Sequence, residues 1–234
     1  MTSMDLALFD LDHTLIPFDS GSLFTRFLAE RGALPPTFEA EYLEHCRRYA
    51  AGTVDMVEMH RFTVGALRRH APQALAQWLD EFEAALAPHV PDAARALVRA
   101  HAGAGHACAL VTATTRLVAA PFARALGFDH LLCTEPERDA EGRVTGEIVG
   151  VPCFREHKVD HVRAWLARRG LDRAAVERSW FYSDSLNDLA LLEAVTHPVV
   201  IDADPRLLAV AAARGWPRRT LAAACADFAA RTAR

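Results

Sequence analysis

Two aspartates, Asp10 and Asp12, stand two residues apart directly after an apolar run at residues 6–9. A short apolar run followed by polar residues is typical of a buried β-strand that ends in a loop. Carboxylates placed so close together repel each other unless a cation or a proton separates them. Mg²⁺ suits such oxygen ligands, since it typically takes one or two carboxylates together with substrate phosphate. The motif therefore predicts metal-assisted phosphate chemistry at the end of the first strand.

Composition excludes several classes of protein. The 234 residues allow one large domain, or a core domain with a smaller insertion. The formal net charge is −4 and the arginine pairs are scattered, whereas binding of nucleic acid needs a concentrated basic surface. No apolar run approaches the roughly 20 residues that cross a bilayer. We therefore expect neither a nucleic-acid partner nor a membrane partner.

The cysteines bear on the cellular compartment. There are five, an odd number, and none forms a CxxC pair. The N-terminus also lacks a basic stretch ahead of an apolar one, as an export signal would have. These features predict reduced thiols and a cytoplasmic location. The oligomeric state is left open.

Two kinds of segment follow the first strand. Between about residues 20 and 86, apolar residues recur at helical spacing, which predicts three to four amphipathic helices without a strand. After residue 88, strands alternate with helices, and we predict a β-hairpin between residues 131–134 and 143–149 with its turn at Glu141-Gly142. The other predicted strands are 5–11, 106–111, 178–183 and 198–201, and the other predicted helices are 92–102, 116–126, 155–169 and one that begins near residue 186.

This alternation predicts an α/β fold with a Rossmann-like parallel sheet and helices on both faces. We assign residues 1–16 and 88–234 to this catalytic core and residues 17–87 to an inserted all-helical domain. Sheets of this type place their functional sites at the carboxyl ends of their strands.

A second polar signal follows the predicted strand 106–111. Thr112 and Ala113 lie just before a predicted helix, where a hydroxyl and free backbone N–H groups can hold phosphate oxygens. A threonine in this place is also explained as an ordinary helix cap, so both interpretations stay open.

Two more signals lie further along the chain. Lys158 opens a predicted helix, where its positive charge is mildly unfavourable with the helix dipole. Asp184 and Asp188, with Asn187 between them, follow the predicted strand 178–183. Each signal has a simple structural explanation, a surface lysine or a helix cap. Their common place beside strand ends favours a shared site.

Together these residues resemble the four-motif pattern of the haloacid dehalogenase-like superfamily, over residues 5–201. The all-helical insertion is similar to the C1-type cap of subfamily I, the branch that includes phosphoserine phosphatase. The stretches 146–150 and 154–158 also resemble that branch. The residues that carry the resemblance are, in chain order, Asp10, Asp12, Thr14, Thr112, Lys158, Asp184 and Asp188.

The resemblance implies a catalytic role for four residues. Asp10 would be the nucleophile that forms an aspartyl phosphate, and Asp12 would act first as general acid and then as general base. Thr112 and Lys158 would hold the oxygens of the phosphoryl group, whose transfer depends mainly on alignment and charge neutralisation. An acid at position 12 favours phosphatases and phosphomutases over dehalogenases, because an alkoxide leaving group needs a proton.

The resemblance also implies the cofactor Mg²⁺. Asp10, Asp184 and the backbone carbonyl of Asp12 would bind it, and Asp188 would support the metal's water shell or orient Lys158. The expected function is a Mg²⁺-dependent phosphatase for a small phosphorylated metabolite. Phosphoserine phosphatase in the strict sense, a phosphomutase and a non-catalytic phosphate-binding module are the alternatives.

The helical insertion is expected to select the substrate, since it would close over the site. Asp19 could contact a cationic group of the substrate or cap the first inserted helix, and Arg47, Arg48 and Arg61 could bind a carboxylate. The pair His157 and His161 has a spacing that could bind zinc but lacks a third ligand, and His13 could face the substrate. The predicted substrate-binding residues are Asp19, Thr112, Ala113, Lys158 and Asn187.

Overall fold

The computed structural model describes residues 4–232 of the chain, in which strands and helices alternate after an all-helical segment. The strands are β1 (Met4–Phe9), β2 (Ala107–Thr115), β3 (His130–Thr134), β4 (Pro136–Arg138), β5 (Val144–Ile148), β6 (Val176–Ser183), β7 (His197–Ile201) and β8 (Arg218–Arg219). The helices are α1 (Ser20–Glu30), α2 (Phe38–Ala50), α3 (Met56–Gly65), α4 (Pro72–Ala85), α5 (Asp92–Gly103), α6 (Arg116–Leu126), α7 (His157–Ala167), α8 (Leu189–Ala194), α9 (Pro205–Arg214) and α10 (Leu221–Thr232).

Six strands form one parallel sheet in the order β3-β2-β1-β6-β7-β8. The central strand β1 is buried on both faces: Leu6 and Leu8 pack into one hydrophobic cluster, and Ala7 and Phe9 pack into another. This alternation follows from the two-residue period of a strand. It explains why the run 6–9 is apolar throughout, as is usual for parallel sheets covered on both sides.

Helices cover both faces of the sheet. The cluster that contains Phe9 is completed by α5, α6 and α10, and the cluster that contains Leu8 is completed by α7, α8 and α9. The predicted α/β class, with a Rossmann-like sheet between two helical layers, is therefore confirmed.

The four helices α1–α4, which we call the helical insertion, lie in sequence between β1 and α5. Asp19 caps the first of them by accepting a hydrogen bond from the backbone N–H of Ser22, and Asp55 caps α3 in the same way. The insertion packs on the core through aromatic rings. The ring centroid of Phe82 lies 5.9 Å from that of Phe122 in α6 and, within the insertion, 5.0 Å from that of Phe24. Its assignment to a separate domain at residues 17–87 stays a prediction.

The predicted hairpin between residues 131–134 and 143–149 was wrong in one strand. The first segment, β3, instead pairs with β2 in parallel at the edge of the large sheet. The hairpin partner of β5 is the short strand β4, and Asp139 forms the turn by accepting hydrogen bonds from the backbone N–H groups of Glu141 and Arg143. The apolar run of β3 buries Leu132 and Cys133 in the core, which a two-stranded hairpin at the surface cannot do.

Two findings bear on the compartment and on membranes. Across residues 4–232, the helices are too short or too polar for a membrane span. All five cysteines are free thiols, and Cys133 and Cys153 are buried in the core.

The helical insertion contacts the β4–β5 hairpin through α3. Gly146 of β5 lies against Gly65 of α3 so closely that a Cβ atom added to Gly146 would lie 2.9 Å from the Cα of Gly65. Gly146 also has a φ of +95°, which side chains disfavour. Beside this contact, the Arg61 guanidinium binds the Glu147 carboxylate through hydrogen bonds of 2.8–3.0 Å. Glycine at position 146 is what allows this close approach, whereas a Cβ atom added to Gly65 would lie at an ordinary contact distance of 3.7 Å from the Cα of Gly146.

Replacing Gly146 should therefore destabilise the protein by more than the strain of a positive φ would on its own. Gly150 is a matched control, since it also has a positive φ but nothing lies within 4 Å of its added Cβ. We expect Gly146→Ala to lower the free energy of unfolding by about 1–3 kcal/mol more than Gly150→Ala, the usual cost of overpacking. Urea denaturation of both variants measures the difference, and equal losses would contradict the close contact.

A buried polar chain crosses the cluster beneath β1 and β6. The Nδ1 atoms of His101 and His106 are 2.8 Å apart, and His101 Nε2 is 2.8 Å from the Tyr182 hydroxyl. Burial, followed by the charge of His106, lowers the pKa of His101 from 6.5 to about 3. His106 in turn lies 3.6 Å from the Asp5 carboxylate. The folded protein therefore holds His101 neutral at pH values where the unfolded chain would bind a proton.

This difference predicts acid sensitivity. The contribution of His101 is fully present above pH 6.5 and is lost as the pH falls toward 3, because the unfolded chain binds one more proton there, at about 1.4 kcal/mol per pH unit. In the variant His101→Phe, the free energy of unfolding should fall less steeply between pH 6 and 4. This interval lies between the ordinary pKa of 6.5 and the folded-state pKa of about 3. Denaturation at several pH values measures the slope, and an unchanged slope would contradict the account.

Candidate active site

The predicted site residues meet at one edge of the parallel sheet. Phe9, the last residue of β1, is level with Leu110 of β2 and with Tyr182 of β6. Because parallel strands end at the same edge, Asp10, Thr112 and the turn after β6 follow on the same side. The loop after β1 is fixed by the backbone N–H of Asp10, which donates to the Tyr182 carbonyl at 3.0 Å.

Lys158 lies at the centre of this edge. Its Nζ atom is 2.8 Å from Asp10 Oδ1 and 2.7 Å from Asp188 Oδ1, and the residue is only 2% exposed. Asp188 is held in turn by the Ser183 hydroxyl, which donates to Oδ2 at 2.7 Å. Burial opposes the charge of Lys158, but the two carboxylates outweigh it and raise the pKa of the lysine. A cation is thus fixed between two acids.

Asp10 points its two oxygens in different directions. Oδ1 binds Lys158, while Oδ2 lies 3.5 Å from the Thr14 hydroxyl. Burial raises the pKa of Asp10, Lys158 opposes this rise, and the nearby charges of Asp188 and Asp184 add to it. A buried carboxylate beside other carboxylates favours the approach of a second positive charge.

Thr14 joins Asp10 to Asp184. Its hydroxyl donates to Asp184 Oδ1 at 3.0 Å and accepts from the Asp184 backbone N–H at 3.0 Å. Oxygens of both acids therefore lie within 3.5 Å of one hydroxyl. Burial raises the pKa of Asp184 as well. The buried carboxylate of Asp10 and the half-buried one of Asp184 fit Mg²⁺, which is commonly held by one or two carboxylates and otherwise by water and phosphate.

The other two predicted metal acids have different neighbours. Asp12 Oδ1 accepts from the Ser20 backbone N–H and Oδ2 accepts from the Thr114 hydroxyl, both at 2.7 Å, and both oxygens of Asp188 lie beside Lys158. Among the residues that the structure describes, no three or more His, Cys, Asp and Glu side chains surround one metal position. The side chains that could bind a metal ion at this edge are therefore those of Asp10 and Asp184, because both oxygens of Asp12 and of Asp188 already contact other groups.

Asp12 lies at the boundary between this centre and the helical insertion. Burial, followed by the negative charge of Asp19, raises its pKa to about 6, and the hydrogen bonds from Thr114 and Ser20 oppose the rise. Its carboxyl group is therefore fixed in direction by one residue of β2 and one of α1.

The end of β2 places the predicted phosphate-binding residues. Thr112 is 1% exposed, and its hydroxyl oxygen accepts the Thr114 backbone N–H at 3.2 Å. The Ala113 carbonyl accepts from the Thr134 hydroxyl at 2.7 Å. Asn187 follows β6, and its Oδ1 accepts a hydrogen bond from Arg155 Nε at 3.4 Å.

A cavity of about 200 Å³ adjoins this edge on the side of the helical insertion. Asp12, Asp19, Ala113 and Thr114 line it, together with side chains from α1, α2, α3 and α6. Asp19 keeps its place there by capping α1 and by accepting the Tyr42 hydroxyl at 2.7 Å. The carboxylate–lysine centre therefore has a partly enclosed space next to Asp12.

The remaining candidates lie elsewhere. Arg47 pairs with Glu44 and Arg61 pairs with Glu147, and neither of them nor Arg48 lines the cavity. His161 contacts the Val151 carbonyl and His157 contacts Asp160, and among the described residues the pair is not part of a group of three potential metal ligands. His13 is exposed.

Sequence reasoning missed several neighbours of the site. Thr114 follows Thr112 by two residues. Extending the predicted strand 106–111 to residue 115, where β2 ends, would have placed both hydroxyls on one face of the strand. Tyr42 and His60 come from helices far along the chain from the motifs, and no sequence spacing links them to Asp12. Ser183 is the last residue of the predicted strand 178–183, and the strand pattern gives no sign that its hydroxyl binds Asp188.

Comparison with known proteins shows the family of the chain. The family model of haloacid dehalogenase-like hydrolases matches residues 7–193. A histidinol-phosphatase of Neisseria meningitidis serogroup C is 34% identical over 215 residues, which are 91% of this chain and 97% of that protein.

Solved structures share the fold. A protein of unknown function from Bordetella pertussis Tohama I is 44% identical and has a TM-score of 0.87, with 94% of this chain and 100% of that chain covered. A substrate-bound phosphoserine phosphatase is 16% identical and has a TM-score of 0.62, with 89% and 91% covered. The motifs, the sheet and the family match together confirm the resemblance: the chain belongs to the haloacid dehalogenase-like hydrolase family.

Proposed function

We propose that the protein is a Mg²⁺-dependent phosphatase that hydrolyses a small phosphate monoester through a phosphoaspartate at Asp10. The observation that carries the proposal is the buried Lys158, held between Asp10 and Asp188 at the edge of the sheet where Asp184 also lies. A buried ammonium group beside a carboxylate is suited to hold the phosphoryl oxygens next to the nucleophile.

The reaction has two steps in this proposal. A carboxylate oxygen of Asp10 attacks phosphorus, the bond from phosphorus to the ester oxygen breaks, and Asp12 gives its proton to the leaving alkoxide. Water then attacks phosphorus while Asp12 takes a proton from it. The bond between phosphorus and Asp10 breaks, which releases inorganic phosphate and restores both acids. Thr112 and Lys158 hold the phosphoryl oxygens in both steps.

Asp10 and Asp184 would hold Mg²⁺, with the backbone carbonyl of Asp12 as a further oxygen ligand. The bound ion would neutralise charge on the phosphoryl group during transfer. The fit rests on the two carboxylates beside the Thr14 hydroxyl. Asp188 would orient Lys158, because both of its oxygens lie beside the lysine.

The helical insertion supplies the other wall of the site. We propose that residues 17–87 act as a cap domain that excludes water and contacts the leaving group, since its residues line the cavity beside Asp12. The substrate would be a small phosphorylated metabolite of the cytoplasm, where free cysteines are usual.

The relatives suggest two substrates to compare. The name of the Neisseria relative points to histidinol phosphate, and that of the more distant solved structure points to phosphoserine. A non-catalytic phosphate-binding module is the less favoured alternative, because Asp10, Asp12 and Lys158 are all present, with Lys158 bonded to Asp10 and Thr114 bonded to Asp12.

Replacing the nucleophile tests the proposal. Asp10→Asn should lower kcat for 4-nitrophenyl phosphate at least about a thousandfold, since loss of a nucleophile removes the covalent step. Asp204→Asn is the control, since it makes the same substitution away from the site, at the N-cap of α9. Its kcat should equal that of the unchanged protein. Circular dichroism checks the fold of both variants, and retained turnover in Asp10→Asn would contradict the assignment.

Removal of the metal gives a second test. Activity should disappear in excess EDTA and return when Mg²⁺ exceeds the chelator, because the carboxylates at this edge would no longer be neutralised. Turnover that persists in EDTA would contradict the role of the ion.

Thr14 provides a finer test of the metal ligands. Thr14→Val removes the hydroxyl that orients Asp184, whereas Thr14→Ser keeps it. Loss of a hydrogen bond to a metal ligand typically weakens metal binding 10- to 100-fold. The dissociation constant for Mg²⁺ should therefore rise about tenfold in Thr14→Val and stay unchanged in Thr14→Ser. Calorimetric titration with Mg²⁺ measures both, and equal affinities would contradict this geometry.

A further inference from the structure

The strand β2 is irregular where it reaches the site. Val111 of β2 is level with Leu132 of β3. The next paired residue of β2 is Thr115, which is level with Thr134, so three residues of β2, 112–114, stand opposite a single residue of β3. A bulge of this kind bends a strand and re-aims its side chains, and bulges are frequent next to active sites. We call residues 112–114 the β2 bulge.

A buried threonine holds the β2 bulge against the sheet. Thr134 is 0% exposed, and its hydroxyl donates to the Ala113 carbonyl at 2.7 Å. The same oxygen accepts the Cys153 backbone N–H at 3.2 Å. Backbone polar groups inside a protein need such partners. The bulge is therefore a fixed part of the core, and the side chains on it have fixed directions.

The β2 bulge aims Thr114 at Asp12. The Thr114 hydroxyl donates to Asp12 Oδ2 at 2.7 Å, and the Ser20 backbone N–H donates to Oδ1 at 2.7 Å. The two bonds together oppose rotation of the carboxyl group about its Cβ–Cγ bond. Each carboxylate oxygen has two lone pairs, so these bonds fix the direction of Asp12 and still allow it to bind a proton.

Thr114 also contacts the proposed phosphoryl-binding hydroxyl. Its backbone N–H donates to the Thr112 hydroxyl oxygen at 3.2 Å. A hydroxyl that accepts in this way still has its own O–H to donate, as contact with a phosphoryl oxygen requires. One residue thus sets the distance between the group proposed to hold the phosphoryl oxygens and the group proposed to transfer protons.

A helix cap does not explain Thr114. The N-cap of α6 is the next residue, Thr115, and its side chain makes no capping hydrogen bond. The Thr114 hydroxyl instead bonds to a carboxylate in the loop after β1. Its contact therefore belongs to the site and not to the start of the helix.

We propose that Thr114 is a positioning residue for proton transfer, whose hydroxyl holds Asp12 in the direction from which it reaches the substrate. This role rests on the proposed phosphatase function. In the first step the proton passes from Asp12 to the ester oxygen as the bond from phosphorus to that oxygen breaks. In the second step Asp12 takes a proton from the attacking water. Thr114 keeps its own proton in both steps, since it acts only through Asp12.

Two aryl esters of similar shape test this role. The 4-nitrophenolate ion leaves without a proton, whereas the more basic phenolate needs one. Thr114→Val removes the hydroxyl and keeps the size of the side chain. We expect kcat/KM for phenyl phosphate to fall about 10- to 100-fold, the usual effect of a misplaced catalytic group, and kcat/KM for 4-nitrophenyl phosphate to stay nearly unchanged. Equal falls for both esters, or no fall for phenyl phosphate, would overturn the role of Thr114.

The second step gives an independent readout. With 4-nitrophenyl phosphate, Thr114→Val should have a lower kcat and a burst of 4-nitrophenol in the first turnover, because the attack of water still needs Asp12 as the base. Stopped-flow absorbance measures the burst. In the Asp12→Asn background, removal of the Thr114 hydroxyl should lower kcat no further, since residues that act through one group are not additive. Additive losses would overturn a role through Asp12.

Three further variants locate the effect. Thr114→Ser keeps the hydroxyl and should keep the ratio of the two kcat/KM values. Thr115→Val is the neighbouring control, because the Thr115 hydroxyl oxygen has no hydrogen-bond partner within the described part of the chain, and it should keep the ratio as well. A changed ratio in either variant would overturn the assignment to the Thr114 hydroxyl. Thr114→Ala makes the same comparison if circular dichroism shows that Thr114→Val is not folded.

The unchanged protein separates the two levels of the account. If it hydrolyses neither ester in the presence of Mg²⁺, the proposed function fails, and the role of Thr114 fails with it. Hydrolysis of the 4-nitrophenyl ester alone would mean that the acid is not in position, which overturns the role of Thr114 and leaves the phosphatase intact. Hydrolysis of both esters without the expected effects in Thr114→Val has the same meaning.

Discussion

The buried ion pair that joins Lys158 to Asp10 and Asp188 is the interaction on which the rest of the site depends. One lysine offsets two carboxylates in a place that is nearly closed to water. Removal of one partner from such a buried group commonly costs about 3–5 kcal/mol, because an unpaired charge is left behind. The charges offset each other because Asp10 after β1, Asp188 after β6 and Lys158 of α7 lie at the same edge of the sheet.

The two oxygens of Asp10 connect separate parts of the site. Oδ1 faces the lysine that would hold phosphoryl oxygens, and Oδ2 faces Thr14 and Asp184, where a metal ion fits. Asp12 extends the same loop toward the helical insertion, where Ser20 and Thr114 fix its direction. A single loop after β1 thus connects Asp10, the proposed nucleophile, with the proposed metal site and with the cavity beside Asp12.

The sequence predicted the elements whose signal is local. The apolar run before Asp10 and the acids after β6 place both motifs at strand ends, and the family match confirms the resemblance built on them. The pairing of β3 was predicted wrongly, because the apolar run 131–134 fits a hairpin and a buried parallel edge strand equally well. The contacts of Tyr42 and His60 depend on how α2 and α3 pack, and such packing leaves no periodic signal in the sequence.

The central claim is that Asp10 carries the phosphoryl group during turnover. Rapid acid quenching in the steady state, followed by borohydride reduction and peptide mass mapping, tests it directly, because an acyl phosphate is reduced to an alcohol. The account predicts homoserine at position 10 in quenched enzyme with substrate and aspartate there without substrate. Phosphate trapped on another side chain, or steady turnover with position 10 unmodified, would contradict it.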